Sequence, residues 1–533
     1  MNEVQYDFIV IGAGSAGCAV AARLTENGKH RVALIEAGPK DTSPWIHLPL
    51  GYGKTMWDER INWKLYTQPD PNMGGRRIYW PRGKVLGGSS AINGLIAIRG
   101  QAADYDDWAR QCGEGWSYRS VLPYFKRSET FHDTRAPEYH GANGPISVNP
   151  IRQTHPLIDA FIASAEAIGI PRNDDFNGPN QEGAGYYHLT TRNGLRSSAA
   201  VGYLREARRR KNLDVLTDAQ VTRIRFDGRR ALGIDYERNG QSTALIARRG
   251  VILSAGAVHT PQLLMLSGVG PAEQLAEHGI PVLIDLKGVG ANLQDHLQFR
   301  LIFRCNRPVS TNDQLNSLLG KARIGLQWLL KRSGPLAVGI NQGGLFTAVT
   351  PGANRPDVQF HVATLSADMA GGKVHDFSGF TMSVCQLRPE STGTIRLASA
   401  DPRASPVISP NYLDAELDRR MAVAAIRLAR RIASTEPLRG IVDAEVLPGA
   451  EAQDDAAILD FARNNGATIF HPTSTCRMGA GDDAGAVVDP DLKVRGLEGL
   501  WIADCSVMPR IVSGNTNLPA IMIGEKLSDH LLK

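Results

Sequence analysis

The chain opens on an apolar run that breaks into glycines, "DFIVIGAGSAG" (7–17). "CAVAARLTENG" (18–28) then carries apolar residues at helical spacing up to a glycine stop, and "RVALIEAG" (31–38) is a second apolar run closing on an acid. Strand, helix and strand in that order predict a βαβ unit. Further runs with the signature of buried strands recur far away, at "LDVLT" (213–217), "GVILSAG" (250–256) and "GLWIADCS" (499–506), so distant segments complete the sheet begun at the N-terminus. Between them "GPISVNP", "DVQFHVAT", "FTMSVCQLRP" and "GTIRLAS" alternate apolar and polar residues, the pattern of a half-buried antiparallel sheet. The expected fold class is α/β, with two interleaved domains. A Rossmann-type cofactor domain takes residues 1–155, 195–300 and 465–533, and a substrate domain built on a mostly antiparallel sheet with helices takes 156–194 and 301–464.

A length of 533 residues suits two cores rather than one, and the 55 glycines call for many tight turns. The net charge of +5 is small for this length, and its densest cluster, "REARRRKN" (205–212), sits where a helix would end, which speaks against a nucleic-acid partner. The six cysteines are scattered without a C-x-x-C pair or zinc spacing, so no metal is expected and a reducing, cytoplasmic setting is the simplest reading. The N-terminal apolar run has acids before it and Gly-x-Gly inside it, unlike a signal peptide. No uninterrupted apolar run reaches about 20 residues, so no transmembrane segment is expected, while peripheral attachment to the inner membrane stays open.

In "GAGSAG", Gly12, Gly14 and Gly17 form G-x-G-x-x-G between a strand and a helix, with Ser15 and Ala16 completing the turn. Gly12 permits the tight turn, Gly14 admits a pyrophosphate to the backbone, Gly17 allows close helix–strand packing, and the helix N-terminus favours the anion. Glu36, with Ala37 beside it, ends the second strand about 19 residues beyond Gly17, where a carboxylate accepts from an adenosine ribose. NAD and FAD both satisfy this set. A second loop of small residues and hydroxyls, "PRGKVLGGSSAINGLIAIRG" (81–100), with Gly88, Ser89, Asn93 and Gly94, suits close approach to another part of a ligand and is not required by a nicotinamide. No G-x-S-x-G elbow of a serine hydrolase occurs.

These two loops, with "GAVHTPQLLMLSGVG" (256–270), "GVGANLQDH" (288–296), "HPTSTCRMG" (471–479) and "SGNTNLPAIMIGEK" (513–526), resemble the glucose–methanol–choline (GMC) oxidoreductases, most of all their choline-dehydrogenase-like and aliphatic alcohol or sorbose dehydrogenase branch. The likeness runs the length of the chain. It implies an FAD enzyme oxidising a primary alcohol (aliphatic, aromatic or polyol) and passing electrons to a quinone or another acceptor, with an O2-using oxidase and a choline dehydrogenase as alternatives. It also implies that Val85 and Asn93 lie against the flavin, that Val221 meets the adenine through its backbone, and that Asp504 binds on the ribityl-phosphate side. Some members hold the flavin on a histidine of the second loop; this chain has Ile92 there and no histidine between His47 and His132, so non-covalent FAD is expected.

An alcohol that gives up hydride must also lose its hydroxyl proton, which calls for a base with a pKa near the working pH. His471 in "ATIFHPTSTCRMG" matches the family's catalytic histidine, and Asn515 in "SGNTN", whose amide donates without acting as a base, is the expected partner that orients the substrate oxygen. Asn517 is the rival for that second place. Cys476 lacks a partner at ligand spacing, and the resemblance gives Asp295 and His296 of "LQDH" a structural, flavin-proximal place rather than a catalytic one.

Overall fold

The computed structural model describes residues 5–133, 136–369 and 371–533. The apolar run Gln5–Ile11 is the middle of a parallel sheet, with Val32–Ile35 and then Leu213–Leu216 on one side and Gln241–Leu253 on the other. Gln241–Leu253 is 13 residues long and serves two neighbourhoods. Its first half pairs antiparallel with Arg230–Arg238, which pairs with Ala219–Asp227, and its last residues pair parallel with Leu500–Ile502. The distant apolar runs thus join the N-terminal sheet.

Helix Ser15–Leu24 crosses from Gln5–Ile11 to Val32–Ile35 and is covered by the C-terminal helix Asn517–Leu532. Gly524 makes the close approach possible, because a Cβ there would stand 2.7 Å from the Ala16 carbonyl oxygen. The fully buried Glu525 carboxylate ties the helices together, taking Arg23 at 3.0 Å, Arg127 at 2.6 Å and the Tyr203 hydroxyl at 2.6 Å. A buried carboxylate needs such partners to offset its lost hydration.

The second sheet runs Val442–Leu447, Leu297–Cys305, Gly379–Gln386, Val358–Ala363, Asn341–Thr347, Gly183–Tyr186, all antiparallel, with Ala467–Thr468 also paired to Leu297–Cys305. Two expected strands lie elsewhere. Ile146–Val148 pairs parallel with Glu129–Phe131, and Thr394–Arg396 pairs with Val407–Ser409, each in a two-stranded sheet of its own. The two central strands are also buried along their whole length rather than on one side. One face packs on helix Glu416–Ala433, which buries Met421, Ala425, Ile426, Ala429 and Ile432. The polar positions, Gln359, His361, Thr381 and Ser383, are on the other face, and three of them line the large cavity between the two sheets.

Candidate active site

A cavity of about 590 Å3 extends from the first glycine turn to the polar face of the second sheet. At its near end Gly12 has φ +95°, and a Cβ there would lie 2.5 Å from the Ser254 carbonyl oxygen. Gly17 sits on Gly12, its Cβ position only 1.9 Å from the Gly12 carbonyl oxygen, and so is packed away from the cavity. Gly14 meets nothing closer than 3.9 Å and lines the cavity with Ser15 and Ala16, the arrangement a pyrophosphate needs for backbone approach. The second loop closes over the first: a Cβ on Gly88 would come within 2.7 Å of Gly14 Cα, and Gly87 N–H donates to the Ala13 carbonyl at 2.8 Å.

Glu36, Ala37 and Val221 line this cleft. The Glu36 carboxylate accepts from Ala13 N–H at 3.0 Å and Gly38 N–H at 2.9 Å, and burial raises its pKa to about 7 against those bonds. Ser89, Asn93 and Gly94 line the cavity. Arg196, whose place no motif signals, donates to Asn93 Oδ1 at 2.6 Å; burial lowers its own pKa to about 9. Val85 departs from expectation in this structure. Its side chain is fully buried in a small core with Ile46, Ile61, Ala91 and Ile92 and is not part of the cavity wall. Asp504 does reach the wall, yet its oxygens are occupied by Gly256 N–H at 2.9 Å, Thr260 Oγ1 at 2.6 Å and Ser506 N–H at 2.8 Å, so it fixes the start of helix Gly256–Leu266 beside the cleft.

The residues present fit a dinucleotide. Gly14 and Gly88 leave no side chain in the cleft, and the buried Ser254 hydroxyl on its wall has no hydrogen-bond partner within the chain.

At the far end His471 and Asn515 meet, Asn515 Nδ2 lying 3.2 Å from His471 Nε2. Asn517 points elsewhere, accepting from Ser15 Oγ at 2.7 Å. Hydrogen bonds to two main-chain carbonyls settle the direction of every donor here. His296 Nε2 lies 2.9 Å from the Leu387 carbonyl, which only accepts, so that nitrogen carries a proton. Burial lowers the His296 pKa to about 4, so the ring is neutral and its Nδ1 is bare. His471 Nδ1, 3.0 Å away, is therefore the donor, and His471 Nε2 holds a lone pair. From the other side, Tyr187 donates to the Phe360 carbonyl at 2.6 Å and accepts from Gln359 Nε2 at 3.0 Å; the same Gln359 amide donates to Asn515 Oδ1 at 3.0 Å. That leaves the Asn515 NH2 facing His471. The amide donor thus faces the imidazole lone pair.

Asp295 anchors the segment, accepting His471 N–H at 2.7 Å, the Thr468 hydroxyl at 2.5 Å and the Tyr412 hydroxyl. Burial, with His296, His361 and Arg82 nearby, holds the His471 pKa well below the ordinary histidine value, so the ring is a neutral acceptor at neutral pH. His361 lines the cavity close to Asn515 with neither ring nitrogen in hydrogen-bond geometry. Gln359 and His361 were missed, and His296, expected only as a structural neighbour of the flavin, proves to be the acceptor that sets the His471 ring. The signal for the first two was present: polar residues two apart in the apolar strand "VQFHVA" share one face.

A Gly-cradled cleft on a parallel sheet, leading to a bare imidazole nitrogen beside an amide donor, is the arrangement of an oxidoreductase that binds a dinucleotide. Comparison with known proteins narrows this class. The chain matches the GMC oxidoreductase N-terminal model over residues 6–298 and the C-terminal model over 389–524, and it belongs to that family, FAD-dependent enzymes acting on CH–OH groups. It is 42% identical over 532 residues to an oxygen-dependent choline dehydrogenase of Brucella suis biovar 1 (strain 1330), covering 99% of this chain and 96% of that protein. It is equally 42% identical to the mitochondrial choline dehydrogenase of Homo sapiens, covering 98% of this chain and 89% of the relative. Among solved structures, formate oxidase superposes with a TM-score of 0.93 at 26% identity, covering 99% of this chain and 98% of the other. Pyridoxine 4-oxidase from Mesorbium loti gives 0.89 at 28% identity, with 98% of each covered.

Proposed function

We propose that this chain oxidises a primary alcohol to the aldehyde, with His471 as the base and Asn515 as the group that orients the hydroxyl. The observation that carries the reading is the bare Nε2 of His471, directed to the cavity side beside the Asn515 amide by donors fixed from both ends. Bound FAD supplies the two-electron acceptor for the carbinol hydride. Gly12, Gly14, Glu36, Gly88 and Asn93 would hold it, and the absence of any histidine in the second loop supports non-covalent binding. His471 takes the hydroxyl proton at Nε2, while its Nδ1–H remains on His296. The Asn515 NH2 donates to the substrate oxygen as negative charge develops there.

A neutral or anionic alcohol fits the cavity better than choline. Its lining carboxylates are Glu36 and Asp504, both at the cofactor end and both engaged by donors of the chain. The second sheet contributes Arg300, whose guanidinium donates to the Ala367 and Asp368 carbonyls, and the Trp45 ring is already covered by Lys54 Nζ at 3.8 Å. A quaternary ammonium would meet cations there. For the second substrate we propose a quinone or another carrier in place of O2. The relative named oxygen-dependent and the oxidases among the similar structures favour the rival reading, which an oxygen electrode beside a dye-acceptor assay separates.

The test of the proton step is His471→Ala. Anaerobic flavin reduction by alcohol, per bound flavin, should fall by about 10²–10⁴, the range contributed by a positioned base. A loss below about tenfold, with FAD content intact, would remove His471 from the mechanism.

A further inference from the structure

Helix Leu318–Lys331 is seated along one edge. Ile324 is its buried residue, and Trp328 donates its indole N–H to the Gly194 carbonyl at 2.9 Å. At 100° per residue, Leu318, Leu319, Leu326, Leu329 and Leu330 fall in one sector of about 120° on the opposite side. They are 85, 81, 56, 61 and 71% exposed. Leucines left this bare on a 14-residue helix are an unpaired apolar stripe, not scattered surface residues. The helix contains no acidic residue; Lys321 and Arg323 border the stripe, Lys331 and Arg332 end it, and all four are exposed. The next turn, Pro335–Ala337, carries Leu336 into the cavity wall, as the preceding helix Thr311–Leu315 does with Leu315, so the stripe lies beside the substrate cavity.

We infer that Leu318–Lys331 is an interfacial anchor that seats this enzyme on an anionic lipid bilayer, its leucines at the acyl boundary and its cations among the headgroups. An apolar face of this width with basic borders is what such a surface takes up. Among the described residues no helix is long and apolar enough to cross a membrane, so the contact is with one leaflet. A second copy of the chain is a poorer occupant. The helix is about 21 Å long, so its stripe covers a few hundred Å2, against about 800 Å2 per partner for a stable interface. A two-fold pairing would also set four cations against four. The inference rests on the proposed function only for what the bilayer supplies, a lipid-soluble alcohol or quinone delivered beside the cavity.

The experiment uses the FAD-loaded full chain with extruded vesicles of phosphatidylcholine and phosphatidylglycerol at 3:1, and of phosphatidylcholine alone, separated by flotation. The protein should float with the anionic vesicles, bind them more weakly as salt rises, and favour them over the neutral ones. The triple variant Leu319→Gln, Leu326→Gln, Leu330→Gln should lose at least tenfold in partitioning. Lys321→Glu with Arg323→Glu, a change of charge alone, should lose the preference for anionic vesicles. All five positions are exposed, so FAD content and flavin reduction by a water-soluble alcohol should stay at the wild-type level. A wild-type protein that does not float, or variants that float as well as it does, would overturn the inference; so would a concentration-dependent dimer in light scattering that the leucine variant abolishes. Flavin reduction is read in the same samples, so failure of the alcohol reaction is seen separately from failure of docking.

Discussion

Replacing His296 by leucine takes away the acceptor that fixes the His471 ring. In the wild type His296 Nδ1 accepts from His471 Nδ1–H at 3.0 Å, and both rings are buried. Without that acceptor a buried N–H is left unpaired, at a cost of about 1–3 kcal/mol. The ring escapes the cost by shifting its proton to Nε2 on the cavity side, where it can donate to water or to the substrate oxygen, but that tautomer has no lone pair for the substrate proton. With 1.36 kcal/mol for each factor of ten, the reactive tautomer becomes about 5- to 150-fold scarcer, and the rate falls with it. The assay is anaerobic stopped-flow bleaching of the flavin by a primary alcohol, per bound flavin, so that lost folding or FAD does not enter. His296→Gln is the companion variant: its Oε1 can accept from His471 and its Nε2 can donate to Leu387, so its rate should stay within about threefold of wild type while His296→Leu loses about 5- to 150-fold. A leucine variant within threefold of wild type, or a glutamine variant as slow as the leucine one, would refute the tautomer argument.

The reduction rate should be flat with pH from about 6 upward, because a histidine held well below its ordinary value near 6.5 is already neutral there; a rise through an apparent pKa between about 6 and 7.5, as the sequence reading favours, would show an ordinary histidine in its place. Glu36→Ala should lower FAD occupancy and also the melting temperature of the flavin-free protein, since it leaves the Ala13 and Gly38 N–H groups unpaired at about 1–3 kcal/mol each; an unchanged melting temperature in both forms would reject the carboxylate's place in the turn. Acid precipitation should release the flavin into the supernatant, because Ile92 offers no atom for a bond to it; fluorescence retained by the denatured chain would disprove that.

The dinucleotide end was legible because its rules are local. An apolar strand, glycines at fixed spacing and an acid closing the next strand are consequences of backbone sterics over about 30 residues, and Gly12, Gly14, Gly17 and Glu36 stand where that spacing puts them. Alternation likewise marked real strands, but it encodes which side chains share a face and not which strand lies alongside. Ile146–Val148 and Thr394–Arg396 therefore read like members of the large second sheet and form small sheets of their own. The neighbourhood of His471 is non-local throughout: Nδ1 is set by His296, 175 residues away, and Asn515 is turned by Gln359, 156 residues away. Motif resemblance could pair His471 with Asn515, yet the tautomer depends on the carbonyls of Leu387 and Phe360, which no spacing brings together. The same holds for helix Leu318–Lys331. Its sequence by itself is an ordinary amphipathic stripe, and only the packing of Ile324 and Trp328 against the body decided that the leucines face outward. Periodicity determines that a face exists; the rest of the chain, folded around it, determines what covers that face.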